Sequence, residues 1–205
     1  MPGRRETQEV RREAILRACF TVAAREGLAG VTARAVATEA GVSSGLVFFY
    51  FASVDNLLVE LLDWLLPRTI ISSQLIEPPP ADAEPGAALL SVIRQDVERL
   101  PRQRQRLELF FDYWVLGLRD PNIRGKIRRA ADRYRASFRP LGAALVRAHP
   151  HRYADVTADG LAEVVASFVE GCALQVVMHP SQFSVERSMD TLASLVRQPQ
   201  HATFS

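Results

Sequence analysis

The residues that could act on a partner gather between Thr32 and Ser53, and the chemistry they suit is non-covalent. Thr32, Ser43, Ser44 and Ser53 offer short hydroxyls, Arg34 a guanidinium, and Gly45, Phe48, Phe49 and Tyr50 a bare backbone position beside aromatic rings. Hydroxyls and guanidinium groups suit phosphate oxygens, whereas phenyl rings suit apolar groups such as the thymine methyl in the major groove. Nothing comparable points to bond-making. None of His149, His151, His179 and His201 lies in an HExxH pattern, and His149-Pro-His151 has no cysteine or carboxylate at ligand spacing. A phosphate loop and a nucleophile elbow are also missing. The reading is no catalytic residue, no metal and no cofactor, with an all-helical enzyme as the weakest alternative.

Two short helices must position these side chains. Thr32 is a side-chain acceptor ahead of ARAVATEA, Gly41 follows where a left-handed backbone is wanted, and Ser43 or Ser44 can cap a second helix through GLVFFYF. By propensity LVFFYF is a buried strand. The serine pair before it and Ser53-Val-Asp55 restarting a helix after it favour a helix instead. On that helix Val47 and Phe51 point inward together, while Ser44 with Phe48 and Gly45 with Phe49 form the opposite face. Exposed phenylalanines there mark a contact surface.

The run AGVSSGLVFFYFASVDNLL is similar to the signature of the TetR family of transcriptional repressors, in which an AGVS turn leads to an aromatic-rich recognition helix. The resemblance implies a helix-turn-helix that binds a palindromic double-stranded DNA operator as a homodimer in the cytoplasm. It departs from the family at two places. Val54 stands where a phosphate-directed lysine is usual, and Phe48 stands where tyrosine is common. In the family the start of the first helix lies near the DNA backbone, so Arg4 and Arg5 join the expected phosphate contacts.

The 205 residues, 48% hydrophobic, are enough for one large or two small domains, and a net charge of +2 makes no case for nucleic acid alone. No window reaches about 18 uncharged apolar residues, so no membrane partner is expected. Cys19 and Cys172 show no CxxC spacing, and Cys19 falls on an apolar stripe with Ile15, Ala18 and Val22 as core filler.

The head is expected at residues 1–52 and a ligand-binding and dimerisation domain at 53–205. The whole is all-α, with about nine helices and an exposed loop at IEPPPADAEPG. Leu61 and Trp64 lie on the helix leaving the head, and with Phe110, Phe111, Tyr113 and Trp114 they could wall a pocket for a small lipophilic or cationic effector. A segment apolar nearly all round, with Leu161, Val165, Phe168, Val169, Cys172 and Val176, is expected to pair with a second copy, helped by Met189 and Leu192 on the last helix. FVEGCALQVVMHP followed by SVERSMDTL resembles repressors of the choline-responsive BetI type. An architectural DNA binder without a ligand is the alternative.

Overall fold

Helix ends fall where short side chains can replace missing backbone partners. Thr32 Oγ1 accepts from Ala35 N at 3.1 Å, Ser43 Oγ from Leu46 N at 3.2 Å and Ser53 Oγ from Asn56 N at 3.1 Å. Gly41 sits at φ 66° and ψ 35°, and Val42 N reaches back to Ala37 O at 2.9 Å, so the first short helix closes on a left-handed residue. The computed structural model describes residues 2–69, 80 and 82–197, with side chains from residue 8 to residue 196 of that set. Most of the expected proline-rich loop, and the side chains of Arg4 and Arg5, lie outside the described residues.

Nine α-helices are described: α1 Pro2–Glu26, α2 Ala33–Ala40, α3 Ser44–Phe51, α4 Val54–Leu65, α5 Pro85–Arg99, α6 Arg104–Gly117, α7 Pro121–Ala148, α8 Ala158–Met178 and α9 Val185–Arg197. Among the described residues there is no strand. LVFFYF is helical, so local capping outweighs its strand propensity. The apolar run of α4 stops at Leu65, and a single 3₁₀ turn carries Pro67.

The chain divides into two compact units, one of Met1–Thr69 with Gln105–Arg128 and one of Ile70–Arg104 with Arg129–Ser205. The three helices expected at 1–52 fall in the first unit, together with α4, most of α6 and the start of α7. Its core joins Ile15, Cys19 and Val22 of α1 to Val36, Val47, Phe51, Leu57, Leu61 and Phe110, all buried. The second unit packs α5 against α8 and α9, with Leu89, Ile93, Val97, Tyr134, Phe138, Val169 and Met189 buried. Asp96, 1% exposed, is held there by the hydroxyl of Tyr134, which donates to Oδ2 at 2.8 Å, and by an ion pair with Arg99.

One helix, α8, is apolar over most of its length. This helix of 21 residues, with a hydropathy of 1.6, is long and apolar enough to cross a membrane by length and composition. Asp159, Glu163 and Glu170 interrupt it, so the expectation that no window reaches about 18 uncharged apolar residues stands. Ala162, Val165, Ala166, Val169, Cys172, Ala173 and Val176 bury one side of it inside the second unit, as in a core helix.

Between α3 and α4 the backbone is strained. Ala52 adopts φ 58° and ψ −41°, and Ser53 N donates to Phe51 O at 2.6 Å, closing a three-residue turn that non-glycine residues rarely enter. Ala52→Gly should raise stability by about 0.5 to 1 kcal/mol, because the strain relieved exceeds glycine's extra unfolded entropy. A urea titration checks this, with the midpoint rising at unchanged slope.

Candidate nucleic-acid interface

The α2-turn-α3 segment offers its outer face in the arrangement anticipated from the spacing. Val47 and Phe51 are buried, while Phe48 is 46% exposed and Phe49 70% exposed. Thr32, Arg34, Ser43 and Gly45 are exposed, and Ser44, Tyr50 and Ser53 are half-buried. Arg34 lies in the first turn of α2, two residues after its cap Thr32, and Ser43 caps α3. The arrangement combines hydroxyls, one guanidinium and the amino ends of two helices at the rim with two rings beyond them. That pairing suits phosphate contact at the edge and apolar contact within a groove.

The surface is braced from behind. Arg12 of α1 pairs with Glu60 of α4 and places its guanidinium 5.2 Å from the centre of the Phe51 ring. Trp64 Nε1 donates to both oxygens of Glu13 at 2.9 Å, and Arg68 lies over the indole at 4.4 Å. Burial works against ionisation of Glu13, but the Trp64 hydrogen bond and Arg17, followed by Arg68, outweigh it and hold the carboxyl below its usual range. Lys126, the chain's single lysine, reaches both oxygens of Asp63, at 2.9 and 2.7 Å. Burial pushes the Cys19 thiol up to about 12, so it stays neutral and serves as core.

The six residues expected around an effector separate into groups. Leu61, Phe110 and Tyr113 are fully buried, and the Tyr113 hydroxyl donates to Leu58 O at 2.7 Å, fastening α6 to α4. Phe111 and Trp114 are half-buried and stacked, with ring centres 6.1 Å apart. Trp64 faces α1, with its ring centre 5.7 Å from that of Phe20. An open cleft of about 850 Å³ runs between Leu28, Leu58, Val59, Tyr113, Leu116 and Ile123, and of the six expected residues only Tyr113 lines it. Burial, then Glu108, raises the carboxyl of Asp112 on its wall.

The residues expected to meet a second copy also divide. Val165, Val169, Cys172, Val176 and Met189 are buried in their own subunit, and Leu161, Phe168 and Leu192 are half-buried. The side of α8 left open carries Val164, Leu174 and Met178, 64%, 45% and 62% exposed, with the small residues Ser167 and Gly171 exposed between them. The spacing of these five is a seven-residue repeat that sequence reasoning passed over in favour of the buried stripe. Among the described residues no three or more His, Cys, Asp or Glu side chains are placed to hold a metal ion.

The sequence model of the family described as BetI-type transcriptional repressor, C-terminal, matches residues 85–199, and that of the bacterial regulatory proteins of the tetR family matches residues 15–61. The HTH-type transcriptional regulator BetI of Cronobacter sakazakii is 24% identical over 193 residues, spanning 93% of this chain and 91% of that protein. A putative transcriptional regulator from Saccharomonospora viridis, solved in complex with choline, aligns at a TM-score of 0.68 and 21% identity over 90% of this chain and 94% of that one. FadR from Bacillus subtilis, solved in complex with stearoyl-CoA, aligns at a TM-score of 0.69 and 15% identity over 92% and 99%. At such identities the solved structures establish the fold alone.

Proposed function

Since the chain belongs to the tetR family of bacterial transcriptional regulators, with a C-terminal region of the BetI-type repressor kind, we propose that it represses by binding a palindromic operator as a homodimer and is released by a small effector. The observation that carries this reading is the outward face of α3, where Phe48 and Phe49 stand exposed between the caps Ser43 and Ser53. A soluble surface has no use for two adjacent exposed rings unless something covers them. Thr32, Arg34, Ser43, Ser44 and Ser53, with Arg4 and Arg5 ahead of them, take the phosphates. Gly45, Phe48, Phe49 and Tyr50 take the groove.

Two copies meet through the open side of α8. Val164, Leu174 and Met178 supply apolar surface, Ser167 and Gly171 between them are small enough for close helix approach, and Leu195 of α9 is also exposed, at 64%. The expected residues Val165, Val169, Cys172, Val176 and Met189 support this face from inside. Leu161, Phe168 and Leu192 stand at its margin.

The effector enters the cleft beside α6, at the wall where Tyr113 meets Leu58 and Leu116, with Phe111 and Trp114 on another side of the same helix. Leu61 and Phe110 back that wall, and Trp64 locks the same helix, α4, to α1. The relatives bound to choline and stearoyl-CoA are consistent with a cationic or lipophilic class. A ligand that parts α6 from α4 breaks the Tyr113 to Leu58 bond and moves the helix whose cap, Ser53, follows the recognition helix. Coupling of this kind is reciprocal, with operator and effector weakening each other by the same factor, roughly 5- to 150-fold.

Selection from random duplexes followed by anisotropy titration tests the reading. The selected site should be palindromic with half-sites about 34 Å apart or a multiple of that. Log affinity should fall steeply with log salt, and Arg34→Ala should flatten the slope by about one per contact, or about two for the dimer. An unchanged slope would remove Arg34 from the interface.

A further inference from the structure

The face that α3 turns outward carries almost no hydrogen-bonding chemistry. Between Ser44 and Phe51 there is no arginine, lysine, asparagine, glutamine, aspartate or glutamate, the side chains that pair with base edges through paired donors and acceptors. Gly45, Phe48 and Phe49 are its exposed members. The Phe49 ring is held edge-on against Tyr50 at 5.3 Å between centres, and Tyr50 lies 6.4 Å from buried Phe51, so the ring's direction is set from the core outward. Helical side chains lean toward the amino end, so Phe49 overhangs the turn that holds Gly45. A Cβ at Gly45 would meet nothing nearer than Ser43 Oγ at 3.9 Å. Gly45 therefore leaves open space on a face whose exposed side chains are the apolar rings of Phe48 and Phe49.

One group on the edges of major-groove base pairs is apolar, the C5 methyl of thymine. We propose that this protein reads its half-sites through thymine methyls seated against Phe49 and Phe48, with Gly45 leaving the room for them, rather than through a hydrogen-bond code. The inference rests on the reading of the chain as an operator-binding repressor and names the feature of the operator that the recognition helix selects. Hydrogen bonds from the rim set position on the backbone, and the rings decide sequence.

The test changes the DNA and leaves the protein intact. The full chain first selects a duplex from a random pool. That duplex is then synthesised with deoxyuridine for thymidine, one symmetric pair of positions at a time, which removes the methyl and keeps the base pairing. Burial of one methyl is worth about four-fold in affinity, and loss from both half-sites at once about fifteen-fold. At the positions facing α3 that loss is expected. Replacement of T·A there by 5-methylcytosine·G should bind better than replacement by C·G, because only the former keeps a methyl in the groove. Phe49→Ala, with a melt beside it to confirm folding, should bind the thymine and uracil duplexes alike.

Equal affinity of wild type for the thymine and uracil duplexes at every position overturns the inference while leaving operator binding intact. Undiminished discrimination by folded Phe49→Ala and Phe48→Ala variants also overturns it, since the methyls would then be read by something else. Failure to select any duplex overturns the operator reading itself, and this inference falls with it.

Discussion

Glutamate at both Val164 and Leu174 gives a folded, soluble monomer whose operator affinity has fallen more than about a hundredfold. Both side chains lie on the open stripe of α8, 64% and 45% exposed, so in the isolated subunit the charges stay in water and cost little. In the dimer each would be buried without a partner, at several kcal/mol, which outweighs what the contact supplies. Operator binding then loses its bivalence. A single head with few phosphate contacts binds a half-site weakly, and linkage of two heads is worth 10²- to 10⁴-fold, by rough rule. Val176→Glu, by contrast, places its charge at a position 3% exposed inside the subunit, and insoluble or unfolded protein is expected. Light scattering after size exclusion, with a circular dichroism melt, separates the outcomes. A Val164→Glu/Leu174→Glu protein that remains dimeric assigns the contact elsewhere.

Removal of the Asp96 carboxylate has the second largest effect. Asp96→Ala leaves the buried Tyr134 hydroxyl without its acceptor across α5 and α7 and takes from the Arg99 guanidinium one of its partners. Breaking a buried pair from one side costs about 3 to 5 kcal/mol, and the 26% exposure of the Arg99 side chain places this case near 3. Tyr134→Phe should cost about 1 to 2 kcal/mol, since it removes one hydrogen bond and leaves the ion pair in place. Urea midpoints at unchanged slope measure both. If Asp96→Ala lies within about 1 kcal/mol of wild type, the network contributes position rather than stability.

What could be read from the sequence was what neighbours in sequence decide. Thr32 to Ala35, Ser43 to Leu46 and Ser53 to Asn56 are bonds across three residues, and Gly41 closes its own turn, so the helix-turn-helix and the outward rings of α3 could be placed without coordinates. The same local signals overrode the strand propensity of LVFFYF. Contacts between distant residues were not legible in this way. Trp64 is expected from its spacing at a pocket wall; its indole N–H is taken by Glu13, 51 positions earlier, and no periodicity in either helix announces that. Tyr113 meets Leu58 O over a similar distance.

On α8 the difficulty was symmetry. Both faces carry large apolar residues, so hydropathy could not say which one belongs to the subunit's own core. The stripe of Val165, Val169 and Val176, with three alanines, turned inward, and the stripe of Val164, Leu174 and Met178, with Ser167 and Gly171 between them, was left open. Buried acidic groups escaped for the same reason as the long-range bonds. Glu170, whose carboxyl burial raises against the pull of Arg135, has no marker in sequence that separates it from the exposed Glu163 on the same helix.

The central claim, a dimer that reads a two-fold DNA site through α3, is met most directly by anisotropy titration of a labelled selected duplex with the full chain. Saturation at two protomers per duplex, a steep salt dependence, and loss of preference over random DNA in Phe48→Ala and Phe49→Ala are the predicted results. Saturation at one protomer, or ring variants that keep wild-type preference for the selected duplex, would contradict it.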